Sequence, residues 1–193
     1  RNVSYHYDRD GLFTGNAGIV LTRDPASGLV SNAHFIDPED PAEAQTDRFT
    51  YNTFAELTEY VVNRDRDSAE IYKLALARDN GGRIASRVRT VFGAVTNYVY
   101  GYDMSGRLTS ASRNGAANTY TYDSNGNRLT KTTGSVTISS TYNDQDQLLT
   151  SGTFHYSYNA NGERIEKTNS VTGESTRYQY DSFGNLVGTT LPD

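Results

Sequence analysis

The sequence predicts an all-β chain of antiparallel hairpins, and three observations carry that prediction. Tyrosines recur two residues apart, as in "YVYGY" (98–102), "YTY" (120–122) and "YQY" (178–180). An acid or amide follows the second tyrosine, and a glycine follows that residue by three, so that "YDMSG" returns as "YDSNG" and "YDSFG". The composition, 15 tyrosines and 17 glycines in 193 residues with no tryptophan, favours strands and turns over helices.

Each part of the motif has a physical role. Residues two apart in a strand share a face, so the paired tyrosines point one way. The acid or amide falls at Asp8, Asp24, Asn52, Asp79, Asp103, Asp123, Asn143, Asn159 and Asp181. Seven of these nine follow a tyrosine; Arg23 and Arg78 hold that place in the other two. Asp or Asn at a strand end bonds to N–H groups of the turn it opens, and glycine supplies the positive φ the turn requires. Asn-Gly at 80–81, 114–115, 125–126 and 161–162 strengthens the hairpin signal. Leu108, Leu129, Leu148, Ile165 and Leu186 restart an apolar face on the returning strand. Looser second turns fall at 113–118, 132–135, 151–153 and 169–173. Nine units give about eighteen short strands. A single sheet of that size twists into a curved or spiralling ribbon, along which tyrosine pairs are expected to stack in ladders.

Two stretches depart from the pattern. "IDPEDPAEAQTD" (36–47) carries two prolines and five acids and reads as an exposed acidic loop. "DSAEIYKLALARD" (67–79) has helix-forming composition, yet Tyr72, Leu74 and Leu76 alternate, so a strand is expected there.

The formal net charge of −5 argues against a nucleic-acid partner. No cysteine means no disulfide and no thiolate metal site. No apolar run approaches the length of a membrane-spanning helix. Residues 1–193 read as one repeat region that begins in mid-pattern at Arg1, a fragment of a longer chain. Its terminal hairpins are expected to pair with flanking repeats of the parent chain, or to self-associate through the sheet edges.

The stretch "YGYDMSGRLTSASRNGAANTYTYDSNGNRLT" (100–130) resembles the tyrosine-aspartate (YD) repeats of the rearrangement-hotspot (RHS) family. "RDPASGLV" and "FTYNTFAELTEY" resemble it too, with Ala55 where that family's glycine usually stands. The resemblance covers almost the whole chain. It implies part of a hollow β-shell that is secreted or on the cell surface, and in bacterial polymorphic toxins and toxin complexes a shell enclosing a C-terminal toxin. It also implies a structural, non-enzymatic role. The alternative reading is an extracellular binding module whose tyrosines recognise a glycan or a cell-surface protein. "RDPASGL" (23–29) is similar to the family's self-cleaving aspartate context, but it lacks the preceding GRF and has one residue more before its glycine. It reads as a repeat turn, and no protease role passes to Asp24.

Candidate chemistry is sparse. His6, His34 and His155 are scattered and accompanied by no nucleophile signature. "DSNGN" (123–127) opens like a calcium loop, but Gly134 stands where the twelfth-position glutamate is needed. Asp37, Glu39 and Asp40 read as solvated loop charge rather than a calcium site. Arg83, Arg87 and Arg89 share a strand parity and are expected to pair with acids. No catalytic, cofactor-binding or metal-ligating residue is assigned.

Overall fold

The structure, a computed structural model, describes residues 3–37 and 39–192. These residues form eighteen β-strands and no α-helix, with one 3-10 turn at Pro41–Glu43. The chain divides into two compact units, residues 1–100 with 112–115 and residues 101–111 with 116–193. The first holds β1 (His6–Tyr7), β2 (Phe13–Asn16), β3 (Ile19–Arg23), β4 (Val30–Phe35), β5 (Gln45–Tyr51), β6 (Leu57–Arg64), β7 (Ala69–Arg78), β8 (Ile84–Val91) and β9 (Ala94–Tyr102) up to Tyr100. The second holds β10 (Leu108–Arg113) up to Ala111, then β11 (Ala116–Tyr122), β12 (Arg128–Thr133), β13 (Val136–Tyr142), β14 (Leu148–Ser151), β15 (Phe154–Tyr158), β16 (Arg164–Asn169), β17 (Ser175–Tyr180) and β18 (Leu186–Thr190). From β1 to β9, and again from β11 to β18, each strand pairs antiparallel with the next. The helix-like composition of 67–79 yields to its alternation: β7 is a strand of ten residues.

The first unit's best-buried row runs straight across its strands. Leu21, Ala33, Asp47, Val62, Tyr72 and Val91 are successive register partners. Ala33, Asp47 and Val62 are nearly inaccessible. This corrects the boundary of the acidic loop. The loop ends at Ala44, itself buried, and β5 begins at Gln45. Asp47 is therefore a core residue rather than a solvated one. Alternation across Thr46, Asp47, Arg48 and Phe49 turns Asp47 inward, where small neighbours leave room for it. Pro38 of that loop lies outside the described residues.

Candidate functional site: the turns of the repeat

The aligned acid or amide opens a turn in all nine copies. In eight of them its N–H bonds the carbonyl four residues on; Asp123 N donates to Asn127 O at 3.0 Å. The residue at the third place after it bonds back, as Gly126 N does to Asp123 O at 3.3 Å. The Asp123 side-chain oxygen Oδ1 accepts from the N–H groups of Asn125 (2.9 Å) and Asn127 (2.8 Å). This is a three-residue hairpin loop closed by a bulge, and the ladder shifts register at the preceding residue, between Thr121 and Tyr122. Asp24 departs from the rest. One residue more enters its loop, so Asp24 N reaches Leu29 O, and Oδ1 accepts from the N–H groups of Ala26 and Ser27. The Asn-Gly pairs at 125–126 and 161–162 belong to three-residue loops, with the positive φ on Gly126 and Gly162, and at 80–81 it falls on Gly82 beyond the pair. Asn114-Gly115, with both φ positive, has the two-residue form.

In seven of the eight ordinary turns the side chain of the fifth residue bonds to that of the first, and the two are chemically matched. Where the first is aspartate, the fifth is a donor: Arg83 to Asp79 (2.7 Å), Arg107 to Asp103 (2.7 Å), Asn127 to Asp123 (3.0 Å) and Asn185 to Asp181 (2.9 Å). Where the first is asparagine, the fifth is an acceptor: Glu56 for Asn52, Gln147 for Asn143 and Glu163 for Asn159. Asp8 is followed by Leu12 and has no such pair. The fifth residue also touches the next turn. Arg107 Nη1 donates to Asp123 O at 2.7 Å, and Asn127 Nδ2 donates to Asp146 Oδ1 at 2.6 Å.

Ala55 and Asp146 hold the glycine position, with φ of 63° and 60°. A left-handed backbone strains any residue with a Cβ by about 1–2 kcal/mol, partly offset by the greater chain entropy that glycine loses on folding. Ala55→Gly is therefore expected to stabilise the protein by about 0.5–1 kcal/mol in denaturant unfolding. Asp146→Gly should give no such gain, because Asp146 accepts from both Asn125 and Asn127.

The tyrosine before the acid fastens one hairpin to the previous one. Its hydroxyl donates to a carbonyl at or just before the start of the preceding hairpin's returning strand: Tyr51 to Val30 O (3.0 Å), Tyr122 to Leu108 O (2.7 Å), Tyr142 to Arg128 O (3.1 Å) and Tyr158 to Leu148 O (2.9 Å). Arg23 and Arg78, in the tyrosine place, instead donate to Gly28 O and Gly82 O of their own turns. Tyr122→Phe is expected to cost about 1 kcal/mol, a lost hydrogen bond, in an unfolding titration.

The predicted ring-on-ring contacts are found in the first unit. Phe49 stacks on Tyr60 (5.0 Å) and Tyr60 tilts against Tyr72 (5.6 Å), while Phe13 meets Tyr5 and Tyr7. In the second unit cations lie over the rings, with Arg107 on Tyr122, Arg128 on Tyr120 and Arg164 on Tyr178. Alternation explains this: four of the register partners on the tyrosine face are basic, Lys131 for Tyr120, Arg128 for Tyr122, Lys167 for Tyr156 and Arg164 for Tyr158.

Tyr60 donates to Asp47 Oδ2 at 2.6 Å, and Gln45 Nε2 donates to Oδ1 at 3.4 Å. Burial raises the Asp47 carboxyl above its ordinary 3.8, against the pull of these bonds, and burial with the Asp47 bond pushes the Tyr60 hydroxyl up to about 12. The turn carboxylates go the other way. The side-chain bond from Arg107 lowers Asp103, and that from Asn185 lowers Asp181. A raised carboxyl stabilises the fold below 3.8 and loses that contribution as pH rises through its folded value; a lowered one stabilises above 3.8 and loses it as pH falls through its folded value. Stability is thus expected to rise slightly on acidification towards pH 4 and to fall below it. In Asp47→Asn the rise should vanish and the fall remain, as thermal melts across that range will show.

The other candidates lie apart. His6 and His155 are exposed on β1 and β15. His34 Nε2 is 2.7 Å from Asp65 Oδ2, and Asp65 Oδ1 accepts from Thr46 Oγ1. Asp37 and Asp40 accept from backbone N–H groups of their own loop. Among the described residues no cluster of three or more His, Asp or Glu is set to hold a metal. Arg83 pairs with Asp79 as expected, but Arg87 lies 3.9 Å over Tyr98 instead of on an acid. The matched first and fifth turn residues, and the reach of the tyrosine hydroxyl, were missed in the sequence. The first is legible there, since Asp79, Asp103, Asp123 and Asp181 are followed at the fifth place by Arg or Asn, and each aligned Asn by Glu or Gln.

Antiparallel hairpins whose motif residues are consumed in turns and hairpin-to-hairpin bonds define a structural repeat protein. A family model described as teneurin YD-shell matches residues 2–191, and the chain belongs to that family. No curated protein matches it. Solved structures with this fold include that of TcdB2-TccC3-Cdc42, at 16% identity and a TM-score of 0.62, covering 97% of this chain and 12% of that one. The Photorhabdus luminescens Tc holotoxin pore is similar at 16% identity and a TM-score of 0.61, over 98% of this chain and 12% of that one. The chain spans about an eighth of their length.

Proposed function

We propose that the chain is a wall segment of a YD-type shell that encloses a toxin or effector polypeptide until delivery, outside the producing cell and without catalysis of its own. Residues 1–193 would act as one repeat region, joined at its sheet edges to flanking repeats of the parent chain. The observation that supports this is the use of the motif tyrosines: their hydroxyls tie hairpin to hairpin in four places. A glycan-binding module needs open ring faces, whereas here cations or neighbouring rings cover many of them. The test is protease digestion of the parent protein. The enclosed segment should survive in the native parent and be cut faster in the Tyr122→Phe/Tyr142→Phe/Tyr158→Phe variant. A segment cut as fast in the native parent as after denaturation would overturn the reading.

A further inference from the structure

The second unit sorts its charge by position. Its strands contain one acid, Glu166, which is the register partner of Ser157 and Arg177 and bonds Arg177 at 3.1 Å. That pair lies on the face opposite the tyrosines, with the hydroxyl pairs Thr121–Thr130 and Thr141–Thr150. The other acids among the described residues, including Asp103, Asp123, Asp146 and Asp181, sit in the turns. On the tyrosine side the strand charges are Arg128, Lys131, Arg164 and Lys167, all basic. Lys131 and Lys167 stand opposite Tyr120 and Tyr156. Arg164 lies 4.5 Å from the Tyr178 ring and Lys167 4.1 Å from the Phe154 ring. The second unit's ion pairs join Arg107 to Asp103 and Arg177 to Glu166, and none of these four cations has an acid partner among the described residues. A chain of net charge −5 thus presents one wholly cationic strand face.

We infer that this face binds the carboxylates of an extended acidic polypeptide, an acidic stretch of the enclosed chain; the inference rests on the enclosure reading. Charge complementarity selects an anion. The covered rings select among anions, because a nucleic-acid strand needs open aromatic faces for its bases. Carboxylates need only the exposed edge of each cation. Lys131 on β12 and Lys167 on β16 are four strand spacings apart, roughly 19 Å along the sheet, which about six extended residues span. Binding of this kind is salt-sensitive and holds a chain without requiring it to be folded.

Fluorescent poly-L-glutamate titrated into the isolated chain at low salt, with oligothymidylate in parallel, tests this. Poly-L-glutamate should bind, weaken steeply as salt rises, and lose about tenfold or more in affinity in Arg128→Gln/Lys131→Gln/Arg164→Gln/Lys167→Gln. Arg177→Gln, on the opposite face, should bind as the parent sequence does. No binding, salt-insensitive binding, an unchanged quadruple variant, or tighter binding of oligothymidylate would each overturn the inference. If the quadruple variant fails to fold by far-UV circular dichroism, Lys131→Gln/Lys167→Gln takes its place and should still weaken binding measurably. A failure here leaves the protease test of enclosure unaffected, so the two readings fall separately.

Discussion

Tyr60→Ala is expected to destabilise the first unit by about 3 kcal/mol, read as a lower midpoint in denaturant unfolding. The side chain stacks on Phe49 at 5.0 Å and 19°, tilts against Tyr72, and supplies the short bond to buried Asp47. Truncation removes ring burial and strands a carboxylate at once. Tyr60→Phe separates the two effects. It keeps the ring and leaves Asp47 with Gln45 at 3.4 Å, and is expected to cost about 2 kcal/mol, the penalty of an under-bonded buried acceptor. Adding Asp47→Asn to Tyr60→Phe should recover most of that loss, because a neutral amide is cheaper to bury than a carboxylate. A neutral Tyr60→Phe, or additive effects of the two changes, would mean that the pair does not hold β5 and β6 together.

Gly15→Ala should cost about 3 kcal/mol or more, and it should act locally first. Gly15 has φ of 156° and lies in β2 one residue before its end, paired with Val20 of β3, where an added Cβ would lie 2.4 Å from Ile19 O and 3.2 Å from Val20 Cα. Both contacts are backbone, so no side chain can rotate away and the hairpin must open. Amide exchange along β2 and β3 should accelerate before the rest of the unit responds. Gly18→Ala is the control. Its Cβ would meet Ile36 O at an ordinary 3.6 Å, and a change below about 1 kcal/mol is expected. Equal effects at the two positions would refute the steric account.

Most of the hairpin framework was legible in the sequence because local chemistry dictates it. All nine aligned positions open turns, and the second turns fall at Asn114-Gly115, Gly134, Gly152 and Gly173 as the spacing implied. What was hidden depends on cross-strand neighbours. Asp47 looked like loop charge because five acids in a row of polar residues give no sign that Ala33 and Val62 will flank one of them. The tyrosine ladders gave way to cation-on-ring pairs because the strand opposite each tyrosine was invisible until its register was known. Gly15 has no turn signature, and the backbone oxygen that forbids a side chain there comes from the next strand.

The matched first and fifth residues of the turns have a consequence for how such a chain can be edited. The donor and its acceptor lie inside one five-residue block, so the block can be moved whole with that bond intact, and only the fifth residue's bond to the next turn depends on the destination. A crossover that cuts between them is another matter. Joining the front of the Asp103 turn to the back of the Asn159 turn would set Asp against Glu, two acceptors with no proton between them, whereas exchanging the entire pentapeptides keeps the bond within each turn and gives up only the bond from Arg107 to the next turn. The repeats are therefore interchangeable parts with defined seams, and the permissible cut sites lie in the strands rather than within the loops.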